Sequence, residues 1–232
     1  MAPDAAIVAV YGSTEAEPIA AIDRREISDG DRTAMTGGAG LLAGRSSSAI
    51  ALRILPDRWG TAVGPWPAAD LDRETLAANQ IGEIVVAGDH VLPGYLGGYG
   101  DEETKINVDG RIWHRTGDAG YLDATGRLWL LGRCSAKASD SAGALYPFAV
   151  ECAAGEVPGV ARTAFVRHRD QRVLAVEVEQ DAGSVRADLA TRLAWPGSTT
   201  SSSSIEFRSD RRHNAKVEYP ALVQLLDRQR PR

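Results

Sequence analysis

Cysteine is scarce in this chain. Cys134 and Cys152 are the only two in 232 residues, too few for a disulfide framework. No His/Cys spacing suits zinc, and a reducing, cytoplasmic setting is the expectation. Basic charge is not in excess either. Twenty-six Lys and Arg stand against 31 Asp and Glu, for a net charge of −5. That balance argues against a nucleic-acid partner, which would demand a basic face. The Arg-rich end (Arg208, Arg211, Arg212, Arg228, Arg230 and Arg232) is offset by acids elsewhere. No apolar run approaches the ~20 residues needed to cross a bilayer, so no transmembrane segment is expected. The first residues lack a basic region followed by an apolar core, so no signal peptide is expected. What is present is an ordinary globular balance, 44% hydrophobic and 25% charged, on a length that suits one large or two small domains.

The opening "MAPDAAIVAVYGSTEAEP" enters an apolar strand, Ala6–Tyr11, almost at once, as if the chain began inside a larger domain. A loop and a short polar helix or turn are expected to follow by residue 30. "SAIALRIL" (48–55) alternates as a strand, and "GEIVVAGDHVLPGYLG" (82–97) reads as a strand and a turn. "WHRTGDAGYLDATGRLWLLGR" (113–133) reads as a hairpin turning at Asp123–Gly126. Short strands dominate, so a barrel-like β-subdomain is expected over 1–132. From 133 to 232 the pattern is that of a smaller α+β domain. Its expected parts are a linker or exposed hairpin at 134–147, a helix ended by Gly155 and Pro158, and two strands. A helix follows, with Val185, Leu189 and Leu193 on one stripe and Ser184 as its N-cap. The Ser-rich stretch 198–204 reads as a flexible linker, and a last helix carries Pro220 in its first turn.

Four stretches carry candidate chemistry. In "YGSTEAEP" (11–18), a Thr14 hydroxyl can bond a phosphate oxygen and Glu15 can hold Mg²⁺, a hard cation that prefers oxygen ligands. The alternative is a strand-end turn with a solvated Glu. In "RTGD", Asp118 can accept hydrogen bonds from two ribose hydroxyls, or merely cap a turn. Arg133, at the junction of the two halves, offers planar donors suited to phosphate or ribose oxygens, or else a surface ion pair. In "RRHNAKVEYPAL" (211–222), Lys216 sits in a small-residue loop where its long stem can carry an ammonium to a developing phosphate charge. Otherwise it is a solvated lysine.

Taken in order, Tyr-Gly-x-Thr-Glu, Gly-Glu-Ile, the Thr-Gly-Asp hairpin, Gly-Arg and a terminal Asn-x-Lys loop resemble the second half of the adenylate-forming enzymes. That superfamily includes acyl-CoA synthetases, peptide-synthetase adenylation domains and luciferases. "YGSTEAEPIA", "TGGAGLLAGR", "WHRTGDAGYLDATGRLWLLGR" and "RRHNAK" look most like the olefin-pathway β-lactone synthetases. The resemblance runs from Tyr11 to Leu222. It implies that Tyr11 and Gly12 flank the adenine, Thr14 contacts phosphate and Glu15 holds Mg²⁺. Asp118 would bind the ribose hydroxyls, Arg133 would help hold the nucleotide, and Lys216 would bridge the substrate carboxylate and the α-phosphate. Ser135 stands where the family usually has an Asp or Lys hinge. The family's Ser/Thr/Gly-rich phosphate loop, which lies upstream of the Tyr-Gly motif, has no counterpart here. The Gly-rich "TGGAGLLAGR" lacks the Gly-Lys-Ser/Thr of a P-loop.

The resemblance therefore implies the C-terminal part of an ATP- and Mg²⁺-dependent enzyme. It would comprise the end of the core, a β-barrel-like subdomain and a mobile α+β lid. The implied reaction converts a 3-hydroxy fatty acid to a β-lactone through an acyl adenylate. Two alternatives stand beside it: a fatty acyl-CoA synthetase-like ligase, and a catalytically silent remnant or partner subunit. The implied partners are a fatty acid, a separate N-terminal half, and other enzymes of an olefin pathway.

Overall fold

The computed structural model describes residues 5–141, 143–179, 182–195, 201–204 and 219–228. The chain forms two compact units. One contains residues 1–33 and 41–135, the other 34–40 and 136–232.

In the first unit, β1 (Val8–Ser13) turns at Thr14–Glu15 into β2 (Ala16–Asp23), where a loop and polar turn are expected from the sequence. Alanine is a weak strand former, and proline normally marks a strand's edge or irregularity. Pro18 falls in the break of the β1–β2 register between Ala16 and Ala20, where no ladder N–H is needed. Helix α1 (Asp29–Ala34) leads into β3 (Leu41–Ser46), then β4 (Ala51–Leu55), helix α2 (Ala68–Glu74) and β5 (Gly82–Ala87). A long loop ends in the single turn α3 (Asp101–Thr104), followed by β6 (Lys105–Val108), β7 (Arg111–Leu122) and β8 (Leu128–Arg133).

The strands pair antiparallel in the path β1-β2-β3-β8-β7-β5-β4, with β6 on the other part of β7. Among the described residues the path is open, with β1 and β4 at its ends, so the barrel-like sheet does not close. Alternation along short strands marks one buried face of a sheet and does not reveal whether its edges meet. Leu71 of α2 joins Leu55, Val85, Ile106, Val108 and Trp113 in an apolar cluster that covers one region of the sheet.

The second unit starts with the hairpin β9 (Ala138–Asp140) and β10 (Gly143–Leu145), then helix α4 (Pro147–Gly155). Strands β11 (Val160–His168) and β12 (Gln171–Val178) pair antiparallel. Helix α5 (Ala182–Arg192) buries Val185 and Leu189, with Leu193 beyond its end, as the stripe predicts. Ser184 lies inside this helix, so it is not the N-cap expected. Ser201–Ser204 form β13, parallel to β12, although the same serines read as linker by composition. The helix α6 (Tyr219–Arg228) packs Leu222 and Leu226 against Ala164, Val166, Val173 and Ala175.

Candidate nucleotide and cation site

The Arg-Thr-Gly-Asp stretch folds as a bulge in β7. On β5, Glu83 pairs with Ala119 and Val85 with Arg115, so Ile84 alone stands opposite Thr116, Gly117 and Asp118. Two extra residues bend the strand and re-aim side chains at that point. The Thr116 hydroxyl donates to the Ile84 carbonyl at 2.9 Å and accepts from the Asp118 N–H at 3.1 Å, which replaces ladder bonds the bulge removes. Gly117 has φ +69°, and a Cβ there would lie 2.9 Å from the Trp59 ring. The motif's glycine is thus required twice over, by its backbone and by its neighbour.

Beneath the bulge, Arg115 is one of the most deeply buried side chains. It bonds both its Nε and Nη2 to Glu83 Oε2, at 3.0 and 2.6 Å, and its Nη1 to the Thr61 carbonyl at 2.6 Å. Burial pushes the Glu83 carboxyl up, while the Arg115 guanidinium pulls the other way. The guanidinium keeps its charge, and its two short bonds to one carboxylate oxygen have the geometry of a charge-assisted pair.

Asp118 emerges from the bulge between two partners. Tyr11 Oη donates to Oδ2 at 2.8 Å, and Arg133 Nη1 donates to Oδ1 at 3.0 Å. Arg133 also donates to the Thr116 carbonyl at 3.0 Å and sits opposite Asp118 in the β7–β8 ladder. Tyr11 comes from β1, four strands away along the path, so the sheet curls enough to bring the two motifs together. Burial and the nearby Asp118 charge hold the Tyr11 phenol well above its ordinary value, which keeps it a donor. Arg133 stays half-exposed, so its fork can turn toward a ligand. The arrangement offers a carboxylate already oriented to accept hydroxyl protons at the protein surface.

Gly12 adjoins Tyr11 on the hairpin. A Cβ there would lie 2.9 Å from Glu17 Cγ, so the close strand approach needs glycine. Thr14 is exposed on the turn. Glu15 belongs to a second cluster. Its Oε1 accepts from Tyr95 Oη at 2.8 Å, and its carbonyl accepts from the Leu92 N–H at 2.8 Å. Partial burial raises the Glu15 carboxyl, the Tyr95 hydroxyl lowers it, and the net result is below the ordinary value. Glu15 is therefore an ionised oxygen donor at neutral pH.

Among the described residues, no group of three or more His, Cys, Asp or Glu side chains could hold a metal. A lone carboxylate fits Mg²⁺, which keeps several waters and takes one or two protein carboxylates beside substrate phosphates. Lys216 lies outside the described residues. Tyr95, Lys105 and Thr116 were not singled out from the sequence as site residues. Thr116 stood inside a quoted motif; Tyr95 reaches Glu15 only through the folding of the loop between β5 and β6, and Lys105, at the start of β6, lies against the Tyr95 ring.

No family model matches the chain. Its curated relatives include the olefin β-lactone synthetase of Stenotrophomonas maltophilia, 34% identical over an alignment that covers 92% of this chain and 41% of that protein. The indoleacetate–CoA ligase of Aromatoleum aromaticum is 32% identical over 81% of this chain and 34% of its own length. The fold matches O-succinylbenzoate coenzyme A synthetase from Bacillus subtilis, in complex with AMP, at TM-score 0.69 and 22% identity, over 97% of this chain and 41% of that one. The chain thus spans about two fifths of the relatives it resembles. Among the described residues no helix is long and apolar enough to cross a membrane. Over most of its length the chain is thus similar in sequence to the olefin β-lactone synthetases, and it shares its fold with part of an AMP-bound coenzyme A synthetase.

Proposed function

We propose that this chain supplies the ribose-, cation- and lysine-bearing part of an enzyme that converts a 3-hydroxy fatty acid to a β-lactone. The observation that carries the reading is Asp118, thrown out of β7 by the bulge and held between Tyr11 and Arg133. In this reading the ribose hydroxyls of ATP donate to Asp118, whose present partners hold it in the accepting orientation. Gly12 and Tyr11 flank the adenine, and Thr14 meets a phosphate oxygen.

The fatty acid carboxylate attacks the α-phosphate and pyrophosphate leaves. Lys216 neutralises charge that develops on the phosphoryl oxygens. Mg²⁺ held by Glu15 would add Lewis-acid stabilisation of the same charge. The 3-hydroxyl then attacks the acyl carbonyl and gives up its proton to solvent, a four-membered ring closes and AMP departs with the bonding electrons of the acyl–oxygen bond. Ring strain opposes closure, while the tethered nucleophile favours it.

The exposed apolar edge at Ile7, Val8 and Val10 supports a partner surface for an N-terminal core, in the same or a separate polypeptide. The likeness to a CoA ligase supports a second reading, thioester formation with CoA as acceptor. The test is ATP–pyrophosphate exchange with a 3-hydroxy fatty acid, using the chain alone and with an N-terminal half supplied. Exchange that requires the added half, and that Asp118→Ala weakens and Lys216→Ala abolishes, is expected. Lactone formation without CoA selects the first reading and thioester formation the second. No exchange in either arrangement selects a silent remnant.

A further inference from the structure

A single carboxylate on a flexible stem is a weak cation ligand unless something fixes its rotamer. We propose that Tyr95 is the residue that positions the Glu15 carboxylate for a divalent cation, with Lys105 fixing Tyr95 in turn. The inference rests on the reading of Glu15 as the magnesium residue, and goes beyond it by naming what aims that side chain.

Five contacts carry it. Tyr95 Oη donates to Glu15 Oε1 at 2.8 Å, which orients the carboxylate. The Tyr95 backbone N–H donates to Asp101 Oδ1 at 2.9 Å, which ties the middle of the loop to the start of α3. Lys105 Nζ lies 5.1 Å from the centroid of the Tyr95 ring, within cation–π range. The same ammonium donates to the Leu92 carbonyl at 2.6 Å, and the Leu92 N–H in turn donates to the Glu15 carbonyl. Side chain and backbone of Glu15 are therefore held by one loop, and Lys105 closes that loop from beneath.

Gly94 permits the closure, since a Cβ there would lie 2.9 Å from Asp101 Oδ2. Lys105 is only 8% exposed. Among the described residues no ion pair joins its ammonium to Glu15 directly, so it supports the site without occupying it. Hydrogen-bond partners of metal ligands act in this way elsewhere: they orient the ligand, and losing them typically weakens metal binding by about tenfold or more.

The experiment follows Mn²⁺, as a paramagnetic substitute for Mg²⁺, on the isotope-labelled full chain with and without ATP. Wild type is expected to show selective broadening of the amides of Glu15, Leu92 and Tyr95. Glu15→Gln should abolish it. Tyr95→Phe should require about tenfold more Mn²⁺ for the same broadening. ATP affinity in EDTA should not change in Tyr95→Phe, a split that a general loss of structure would not produce. Dispersed amide shifts report that the variant is folded. Should Tyr95→Phe not fold, Asp101→Ala unties the loop with the hydroxyl intact and should show a smaller loss. Unchanged Mn²⁺ dependence in a folded variant, with Glu15→Gln still null, overturns the role of Tyr95 alone. Absence of broadening in wild type overturns the cation reading and this inference together.

Discussion

His114 is a histidine with almost no water around it. It is 3% exposed, and its Nδ1 lies 3.2 Å from Lys105 Nζ and 3.2 Å from the Thr104 carbonyl. Burial and the neighbouring Lys105 ammonium both favour the neutral ring. Burial first, then the Lys105 charge, brings the His114 pKa down to about 4. Between that value and the ordinary one near 6.5, the unfolded chain binds a proton that the folded chain refuses. Stability therefore falls as pH drops through this window, by an amount on the order of 3 kcal/mol at its lower end. Urea unfolding of wild type and His114→Gln at several pH values checks this. The difference between them should shrink as pH falls from 7 toward 4.5, and a constant difference would refute the account. At this scale the sequence was uneven. Asp118 and Arg133 stood in ordered motifs, and the structure brings them together with Tyr11. His114 and Lys105 belong to no pattern of spacing. They meet because β6 and β7 pair in a register that sets Lys105 opposite His114.

Strand β7 does three jobs in twelve residues: it pairs β6 at its start, β5 along its length and β8 at its end. The hairpin with β8 was legible because alternating apolar residues flank Asp-Ala-Thr-Gly, whose Asp123 accepts from the backbone N–H groups of Thr125 and Arg127. The bulge was not legible, since an extra pair of residues opposite Ile84 leaves no mark in composition. Nor was β13: a serine run has weak strand propensity, and only the neighbouring edge of β12 supplies its ladder partners. The bulge is held from below by the Arg115–Glu83 pair, with both side chains 1% exposed. Removing one member leaves a buried charge without its counter-ion, which costs about 3–5 kcal/mol. Arg115→Met should lower the urea midpoint accordingly. Adding Glu83→Leu to that variant should recover much of the loss, because an apolar pair leaves no charge stranded. A double variant no more stable than the single one would show that the guanidinium holds the fold through the Thr61 carbonyl instead.

At the scale of the whole molecule, the informative surface is the free side of β1. This strand ends the path of the larger sheet. Val8 and Val10 are 52% and 54% exposed, and Ile7 just before them is 48% exposed. Edges of this kind normally carry charge, proline or a covering element, because unpaired N–H and C=O groups beside apolar side chains recruit other strands. The matched relatives are more than twice as long as this chain, and a covering core would remove the exposure. Taken alone, the chain should therefore self-associate through β1 as its concentration rises. Sedimentation velocity over a wide concentration range checks this. Val8→Lys should restore the monomer without changing the unfolding midpoint, since the side chain it replaces is not part of the buried core. The same lysine should also impair pyrophosphate exchange when an N-terminal half is supplied, because one edge cannot present a charge and accept an apolar partner. A wild-type chain that stays monomeric throughout would mean that its own turn geometry already protects the edge. Val8→Lys that blocks self-association yet leaves exchange intact would place the partner's surface elsewhere on the unit.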